Sequence, residues 1–269
     1  MTEQHSPEYT MGYGEDFMQL LDRRKAESHA AYLLPKLEPG MRVLDFGCGP
    51  GTISVGLARA IEPGEFHGID MEESQIGIAR AAAQAGGHAN ATFHVGDVTD
   101  LPFEDGYFDV AHCHTLLTHV PDTQKALAEV KRVLKPGGLI GAREMNGGSS
   151  FMAPDWDDEG WRTFMSLLEA NGGHPNMGRE LKDAFLQAGF VSPVASASFD
   201  FFTHEDDIAF FHGFSLDWFF TPRVIEAATM FGFATKEQFE QWRRDLDEWK
   251  TKPSATAAIG FGECIATKP

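Results

Sequence analysis

Three aspartates stand at the ends of short apolar runs in the N-terminal half of the chain. Asp45 falls inside VLDFGCGPGT (residues 43–52), Asp70 closes EFHGID, and Asp97 follows ATFHV. A carboxylate two positions before Gly47 would repel a pyrophosphate but suits an ammonium group. Asp70 could accept hydrogen bonds from both hydroxyls of a ribose, and Asp97 could accept from an adenine amino group. Together the three acids predict a site for a nucleoside that carries a cationic end.

The turn after Asp45 is rich in glycine, with Gly47, Gly49 and Gly51 at alternate positions. Glycines allow backbone to approach a ligand closely, although an ordinary tight turn needs them as well. A dinucleotide-binding loop has the pattern G-x-G-x-x-G, whereas here Thr52 occupies the place of the third glycine. The loop therefore favours a mononucleoside ligand over a nicotinamide dinucleotide.

Elements that could position these residues alternate along the chain between residues 41 and 145. Short apolar runs such as RVLDF and YFDVAHCH are followed by stretches at helical spacing such as DTQKALAEVKRVL. This alternation predicts parallel strands that are buried on both faces by helices, which is an α/β fold. Downstream, VSPVASASFDFF and ATAAIGFGECIAT read as two strands separated by a helical segment. We expect them to form an antiparallel hairpin that closes the sheet edge, with the helices between them as a cap.

Composition restricts the class of protein further. The 269 residues carry 22 basic and 40 acidic side chains, a formal net charge of -18. This charge argues against nucleic acid or an anionic membrane surface as a partner. No secretion signal or membrane span is evident, so a cytoplasmic protein without stable membrane association is expected. The three cysteines lack the spacing of a zinc site, and no metal is predicted.

The motifs VLDFGCGPG, GID, GDVTDLPFEDGYFDV and RVLKPGG together resemble those of class I S-adenosylmethionine-dependent methyltransferases. Within that class, the chain is similar to the small-molecule enzymes that methylate ubiquinone and menaquinone precursors. The resemblance implies a Rossmann-like seven-stranded sheet, parallel except for one antiparallel edge strand, with helices on both faces. It also implies a helical N-terminal segment over 1–40 that covers the cofactor. The core would then span 41–203 and 251–269, and the cap 204–250, inserted between the last two strands.

The same resemblance implies that S-adenosylmethionine is the cofactor and assigns its contacts. Asp45 and the glycine loop, chiefly Gly47 and Gly49, would hold the methionine part, while Asp70 would hold the ribose. Met71 and Val98 would flank the adenine, and Asp97 would meet its amino group. The backbone near Cys113 and His114 would complete the methionine site, and Tyr13 would close over the cofactor. Arg23 or Arg24 could pair with the cofactor carboxylate, although the pattern favours an ordinary exposed arginine of the helix at both positions.

Methyl transfer from a sulfonium needs mainly an acceptor atom held in line with the sulfur–methyl bond, so a base is required only for a protonated acceptor. HCHTLLTHV, which follows the fourth strand, offers His114 as a candidate base and His119 as a candidate substrate contact. Glu144 lies where an acceptor would be steered, and pairing with Arg143 is its alternative role.

The predicted cap, with its run DIAFFHGFSLDWFF, is rich in large aromatic residues. Phe214 and Trp218 are four residues apart and therefore share one helix face. They predict an apolar or aromatic acceptor beneath a lid, but a packed cap core or a homodimer contact would explain the same pattern. The leading hypothesis is methyl transfer to an O, N or C atom of a small, largely apolar molecule. A non-catalytic S-adenosylmethionine-binding regulator and an NAD-dependent oxidoreductase are the alternatives.

Overall fold

The computed structural model describes residues 15–269 as a central sheet with helices on both faces and a helical cap. Five parallel strands form the first part of the sheet: β1 (Arg42–Phe46), β2 (Glu65–Asp70), β3 (Ala91–Val95), β4 (Phe108–His114) and β5 (Leu134–Met145). Three later strands complete it: β6 (Phe151–Ala153), β7 (Val191–Phe202) and β8 (Thr256–Thr267).

Ten α-helices connect or flank these strands in the described chain. Two precede the sheet, α1 (Glu15–Asp22) and α2 (Ala26–His29). Five lie along the chain between β1 and β7: α3 (Ser54–Ala60), α4 (Glu73–Gly86), α5 (Thr123–Val133), α6 (Glu159–Ala170) and α7 (Met177–Gln187). The last three lie between β7 and β8, as α8 (Glu205–Trp218), α9 (Pro222–Met230) and α10 (Lys236–Trp249).

The strand order confirms the fold class predicted from the sequence. The strands follow the order β3-β2-β1-β4-β5-β8, and β7 pairs with the other side of β8. β8 runs antiparallel to every strand it contacts, so the reversed strand lies one position in from the edge. The structure adds the three-residue β6, which continues the line of β5 along β8. The expected antiparallel pair of late strands, with helices inserted between them, is present.

Burial on both faces of the sheet explains the continuous apolar runs. Val43 belongs to the hydrophobic cluster on the face of α3, with Leu57, whereas its neighbour Leu44 belongs to the cluster of the α5 face, with Leu127. Successive side chains of a strand point to opposite faces, so a strand covered by helices on both sides has few positions for polar residues. Two of the acids, Asp45 and Asp70, accordingly lie at or next to the last residue of their strands.

Within residues 15–269, every helix is too short or too polar to span a lipid bilayer.

Candidate functional site

A cavity of about 470 Å³ lies at the carboxyl ends of the parallel strands and brings the three predicted acids together. Asp45, Asp70 and Asp97 all line it, although they come from three different strands or strand ends. Parallel strands end at the same side of a sheet, and ligands of open α/β sheets bind at that side. Further lining residues come from the glycine loop, the N-terminal helices and the segments after β2, β3, β4 and α6. They include Gly47, Gly49, Met71, Val98, His114 and His119.

The glycine loop is shaped by close packing at two of its positions. Gly47 has a φ of +74°, and a Cβ there would lie 2.7 Å from the side chain of Leu116. Gly51 has a φ of +79°, and a Cβ there would lie 2.9 Å from the Cβ of Ala79 in α4. Both positions therefore require glycine on conformational and steric grounds. Leu116 and Ala79 thus pack closely against the glycine loop, at Gly47 and Gly51 respectively.

Asp45 is almost completely buried, with 3% of its surface exposed, although it lines the cavity. Its Oδ2 accepts a hydrogen bond from the hydroxyl of Ser54 at 2.5 Å, and its Oδ1 lies 2.8 Å from Nδ1 of His112. Each carboxylate oxygen can accept more than one hydrogen bond. A further donor from the cavity can therefore bind without displacing either partner.

Asp70 and Asp97 are both anchored by backbone N–H groups. The two oxygens of Asp70 accept from Gly49 and Glu72 at 2.9 and 3.0 Å, and Oδ1 of Asp97 accepts from Thr99 at 2.8 Å. Burial raises the pKa of Asp70, while the two N–H donors oppose that shift. These backbone contacts fix the carboxylates in place before any ligand binds.

Two apolar side chains lie near these acids at the cavity. Val98 is buried, whereas Met71 exposes 74% of its surface. A large apolar side chain so exposed at the rim of a cavity offers a surface that a flat aromatic ring could cover.

His114 lines the cavity, but its hydrogen bonds disfavour a role as a base. A guanidinium nitrogen of Arg143 lies 2.7 Å from Nε2 of His114. Since arginine cannot accept a hydrogen bond, Arg143 must be the donor and Nε2 the acceptor. Nδ1 must then carry the imidazole proton, and it lies 3.1 Å from the hydroxyl of Thr115. Burial, together with the charges of Arg24 and Arg143, lowers the pKa of His114 well below its ordinary value. The ring is thus neutral, and the lone pair a base would use is already occupied.

His119 and Arg24 lie together on the wall of the cavity that is formed by the segment after β4 and the N-terminal helices. Burial, and secondarily the charge of Arg24, lowers the pKa of His119 to about 4. Arg24 donates a hydrogen bond to Thr115 at 3.1 Å. Arg23, by contrast, turns toward the cap, where it pairs with Asp207 at 2.5 Å. Of the two arginines considered from the sequence, Arg24 is the one at the cavity.

Glu144 and Cys113 lie beneath the cavity and are not among its lining residues. Oε1 of Glu144 accepts from the N–H groups of Leu116 and Leu117, and Oε2 accepts from the N–H and hydroxyl of Thr118, at 2.8–3.0 Å. The thiol of Cys113 contacts Oε1 of the same carboxylate. Instead of the expected substrate contact, Glu144 holds the backbone that follows β4, and its partner is this backbone rather than Arg143.

Phe214 and Trp218 are placed in the cap and not on the cavity wall. Trp218 stacks on Phe214, with ring centroids 5.4 Å apart, and meets the edge of Phe164 at 4.1 Å. Leu168 of α6 belongs to the same cluster and also lines the cavity. The predicted substrate contacts are therefore packed one layer behind the cavity. Tyr13 lies outside the described residues.

The supporting residues Ser54 and His112 were not predicted as site residues. His112 lies two positions before His114 in the sequence, and no motif marks it as a site residue. Its position opposite Asp45 depends on the register of β1 against β4, which the sequence does not reveal. Within residues 15–269, no three His, Cys, Asp or Glu side chains are grouped so that they could hold a metal ion.

Comparison with known proteins places this geometry in a family. Over 145 residues the chain is 37% identical to an Aspergillus luteorubrus protein named "Probable methyltransferase ltbC", a match that covers 51% of each chain. It is 34% identical over 119 residues to the demethylmenaquinone methyltransferase of Bacillus cytotoxicus, which covers 44% of this chain and 50% of that enzyme. The chain thus spans about half the length of these curated relatives.

The fold is shared with the YcgJ protein of Bacillus subtilis, whose crystal structure superposes with a TM-score of 0.61 at 19% identity, covering 89% of this chain and 97% of that one. A family model described as a methyltransferase domain matches residues 37–172, which is half of the chain and includes β1 to β5 with all three acids. The family predicted from the motifs is confirmed: the chain belongs to the methyltransferase domain family.

Proposed function

We propose that the protein transfers a methyl group from S-adenosylmethionine to an O, N or C atom of a small, largely apolar or aromatic molecule. The observation that carries this proposal is the convergence of Asp45, Asp70 and Asp97 with the glycine loop on one cavity, in a chain of the methyltransferase family. Cavities of this size class take small molecules.

The donor set fits S-adenosylmethionine. Asp45 would face the ammonium group, Asp70 the ribose hydroxyls and Asp97 the adenine amino group, while the apolar Met71 and Val98 would flank the ring. Arg24, which lines the cavity beside the segment after β4, would pair with the cofactor carboxylate. When bound, the cofactor supplies a methyl group on a sulfonium centre, which is already strongly electrophilic.

The protein would contribute orientation and shielding from water more than proton transfer. Correct placement of two reacting groups alone can supply roughly 7 to 11 kcal/mol of the barrier. His114 has no lone pair available, and His119 is unprotonated at neutral pH with too low a pKa for an efficient base. We therefore propose that His119 orients the acceptor, and that the reacting O, N or C atom reaches the site already nucleophilic, with an electron pair available for the methyl group.

The apolar acceptor is supported by the cavity wall beyond the predicted cofactor contacts. Leu116, Val120, Pro121 and Leu168 line this part, and Leu168 is continuous with the aromatic cluster of the cap. The demethylmenaquinone methyltransferase among the relatives, whose name denotes a quinone substrate, supports a hydrophobic ring as acceptor. The cap would then act indirectly, by fixing Leu168, rather than through direct contact of Phe214 or Trp218.

We propose that the protein acts in the cytoplasm. Its substrate would be a small molecule rather than nucleic acid, because a net charge of -18 disfavours binding to a polyanion. The N-terminal segment, with Tyr13, would cover the cofactor. A homodimer, for which the aromatic cap was one candidate surface, stays a prediction that sedimentation equilibrium would test.

Calorimetric titration with S-adenosylmethionine, S-adenosylhomocysteine and NAD tests the cofactor assignment first. We expect binding of both adenosyl ligands and none of NAD. A panel of phenols, quinols and amines, followed by mass spectrometry for a gain of one methyl group, then tests the transfer. Binding of NAD alone would overturn the proposal in favour of an oxidoreductase. Cofactor binding without transfer to any acceptor class would favour the non-catalytic regulator.

A further inference from the structure

A buried carboxylate at the cavity is held from behind by a histidine that the proposed chemistry does not use. Asp45 exposes only 3% of its surface, yet the ion-pair partner it has among the described residues is His112, without any lysine or arginine. A buried carboxylate is strongly unfavourable unless hydrogen bonds or an opposite charge compensate it. Its environment therefore favours a cationic ligand.

His112 is held in place by its strand, by burial and by a neighbouring ring, in addition to its contact with Asp45. It lies on β4 directly opposite Asp45 of β1, it is completely buried, and the ring of Tyr32 lies beside it at 6.4 Å between centroids. Because Nδ1 lies against a carboxylate oxygen, it must carry the proton. Nε2 is buried and has no hydrogen-bond partner in the described part of the chain. A buried ring nitrogen without a hydrogen-bond partner is unfavourable, so an apolar residue would pack better at this position. The contact of Nδ1 with Asp45 is what distinguishes histidine here.

The opposite oxygen of Asp45 is held in the same way by Ser54, at the start of α3. Two donors from different elements, one on each oxygen, fix both the position and the plane of the carboxylate. Each oxygen keeps acceptor capacity for a donor from the cavity. The sheet and the first helix after the glycine loop thus jointly orient one negative charge.

We propose that His112 is a positioning residue that holds the Asp45 carboxylate in register with the ammonium group of the adenosyl cofactor. This inference rests on the proposed function, because it presumes an adenosyl ligand with an amino-acid end. His112 itself need not touch the ligand. Its effect should therefore be confined to ligands that carry the ammonium group.

The test compares S-adenosylhomocysteine with its analogue that lacks only the α-amino group, by calorimetry. We measure the ratio of the two dissociation constants in the wild type, His112→Leu and His112→Asn. In the wild type the amino ligand should bind more tightly by tenfold or more. His112→Leu should reduce this preference at least fivefold while leaving the affinity for the desamino analogue within about twofold. His112→Asn, whose amide N–H can replace Nδ1–H, should restore most of the preference.

His94→Asn is the matched control, since His94 is a partly buried histidine of β3 that pairs with His67 and not with an acid of the cavity. Its preference for the amino ligand should equal that of the wild type. An unchanged preference in His112→Leu would overturn the inference, and so would an equal loss of both ligands, which would mean a general structural role. If the wild type binds neither ligand, the proposed function itself fails, and that outcome is distinct from both.

Discussion

The cavity edge of the sheet and the aromatic cap use opposite means to build a surface. At the cavity edge, short acidic side chains are fixed by backbone N–H groups of nearby loops, as Asp70 is by Gly49 and Glu72. In the cap, large rings are fixed by one another, as Trp218 is by Phe214 and Phe164. The first arrangement leaves carboxylate oxygens available as hydrogen-bond acceptors for a ligand. The second consists mainly of aromatic rings that contact one another. Residues of the cavity edge should therefore control binding, and residues of the cap should control stability.

Truncation of Trp218 is the strongest test of this division. We expect Trp218→Ala to lower the free energy of unfolding by about 3 to 5 kcal/mol, because it removes a buried ring from the cap cluster. Affinity for S-adenosylhomocysteine, measured at a temperature where the variant is folded, should change less than twofold. Urea unfolding and calorimetry give the two values. Met230→Ala, at an exposed position of α9, is the control and should change stability by less than about 0.5 kcal/mol. A selective loss of cofactor affinity would show that Trp218 reaches the site.

Removal of the Asp70 carboxylate should have the converse effect. Asp70→Ala is expected to weaken binding of S-adenosylmethionine about 100-fold, since hydrogen bonds from a ligand to a charged group are worth roughly 1.5 to 3 kcal/mol each. Calorimetric titration measures the loss. Asp100→Ala, an exposed acid near the end of the same cavity edge, should bind like the wild type. Equal affinities of the two variants would contradict the assignment of the ribose site.

Acid should destabilise the protein partly through the cavity wall. The pKa of His119 is lowered from 6.5 to about 4, so the unfolded chain binds a proton in this range that the folded chain does not. The free energy of unfolding should therefore fall as the pH decreases from about 6.5 to about 4. His119→Asn should flatten part of this decline in denaturant titrations, whereas the exposed His204→Asn should not. If His119→Asn and the wild type showed the same pH profile, the lowered pKa of His119 in the folded protein would be contradicted.

The smallest expected effect is at the link between the two regions. Arg23 pairs with Asp207 of α8 and lies over the ring of Phe210, which joins the N-terminal helices to the cap. Both charges are partly exposed, so a double-mutant cycle of Arg23→Ala and Asp207→Ala should give a coupling of about 0.2 to 1 kcal/mol that shrinks at high salt. Arg23→Lys should retain part of it. A coupling above about 2 kcal/mol would indicate that cap and cavity edge behave as one unit.

Prediction from the sequence succeeded where a feature is local. The glycine loop, the acids at successive strand ends and the alternation of strands and helices are each complete within a few residues, and their placement on one cavity follows from the direction of parallel strands. Glu144 shows the limit. Its position after a predicted strand suggested a substrate contact, but only the folded loop provides the four donors from Leu116, Leu117 and Thr118 that occupy it.

The cap illustrates the same limit at a larger scale. The spacing of Phe214 and Trp218 predicts that they share a helix face. It does not distinguish whether a ligand, a partner protein or the rest of the cap buries that face. The structure places Phe164, from another helix, against that face. A periodic pattern specifies which side must be buried but carries no information about what buries it.

The sequence by itself determined the fold class, the family and the edge of the sheet at which the cavity lies, because strand direction and loop composition are properties of neighbouring residues. Only the tertiary structure decided that His112 stands behind Asp45, that Arg143 occupies the lone pair of His114, and that Arg24 rather than Arg23 reaches the cavity. Each of these depends on strand register or helix rotation, and these are set by the packing of distant parts of the chain.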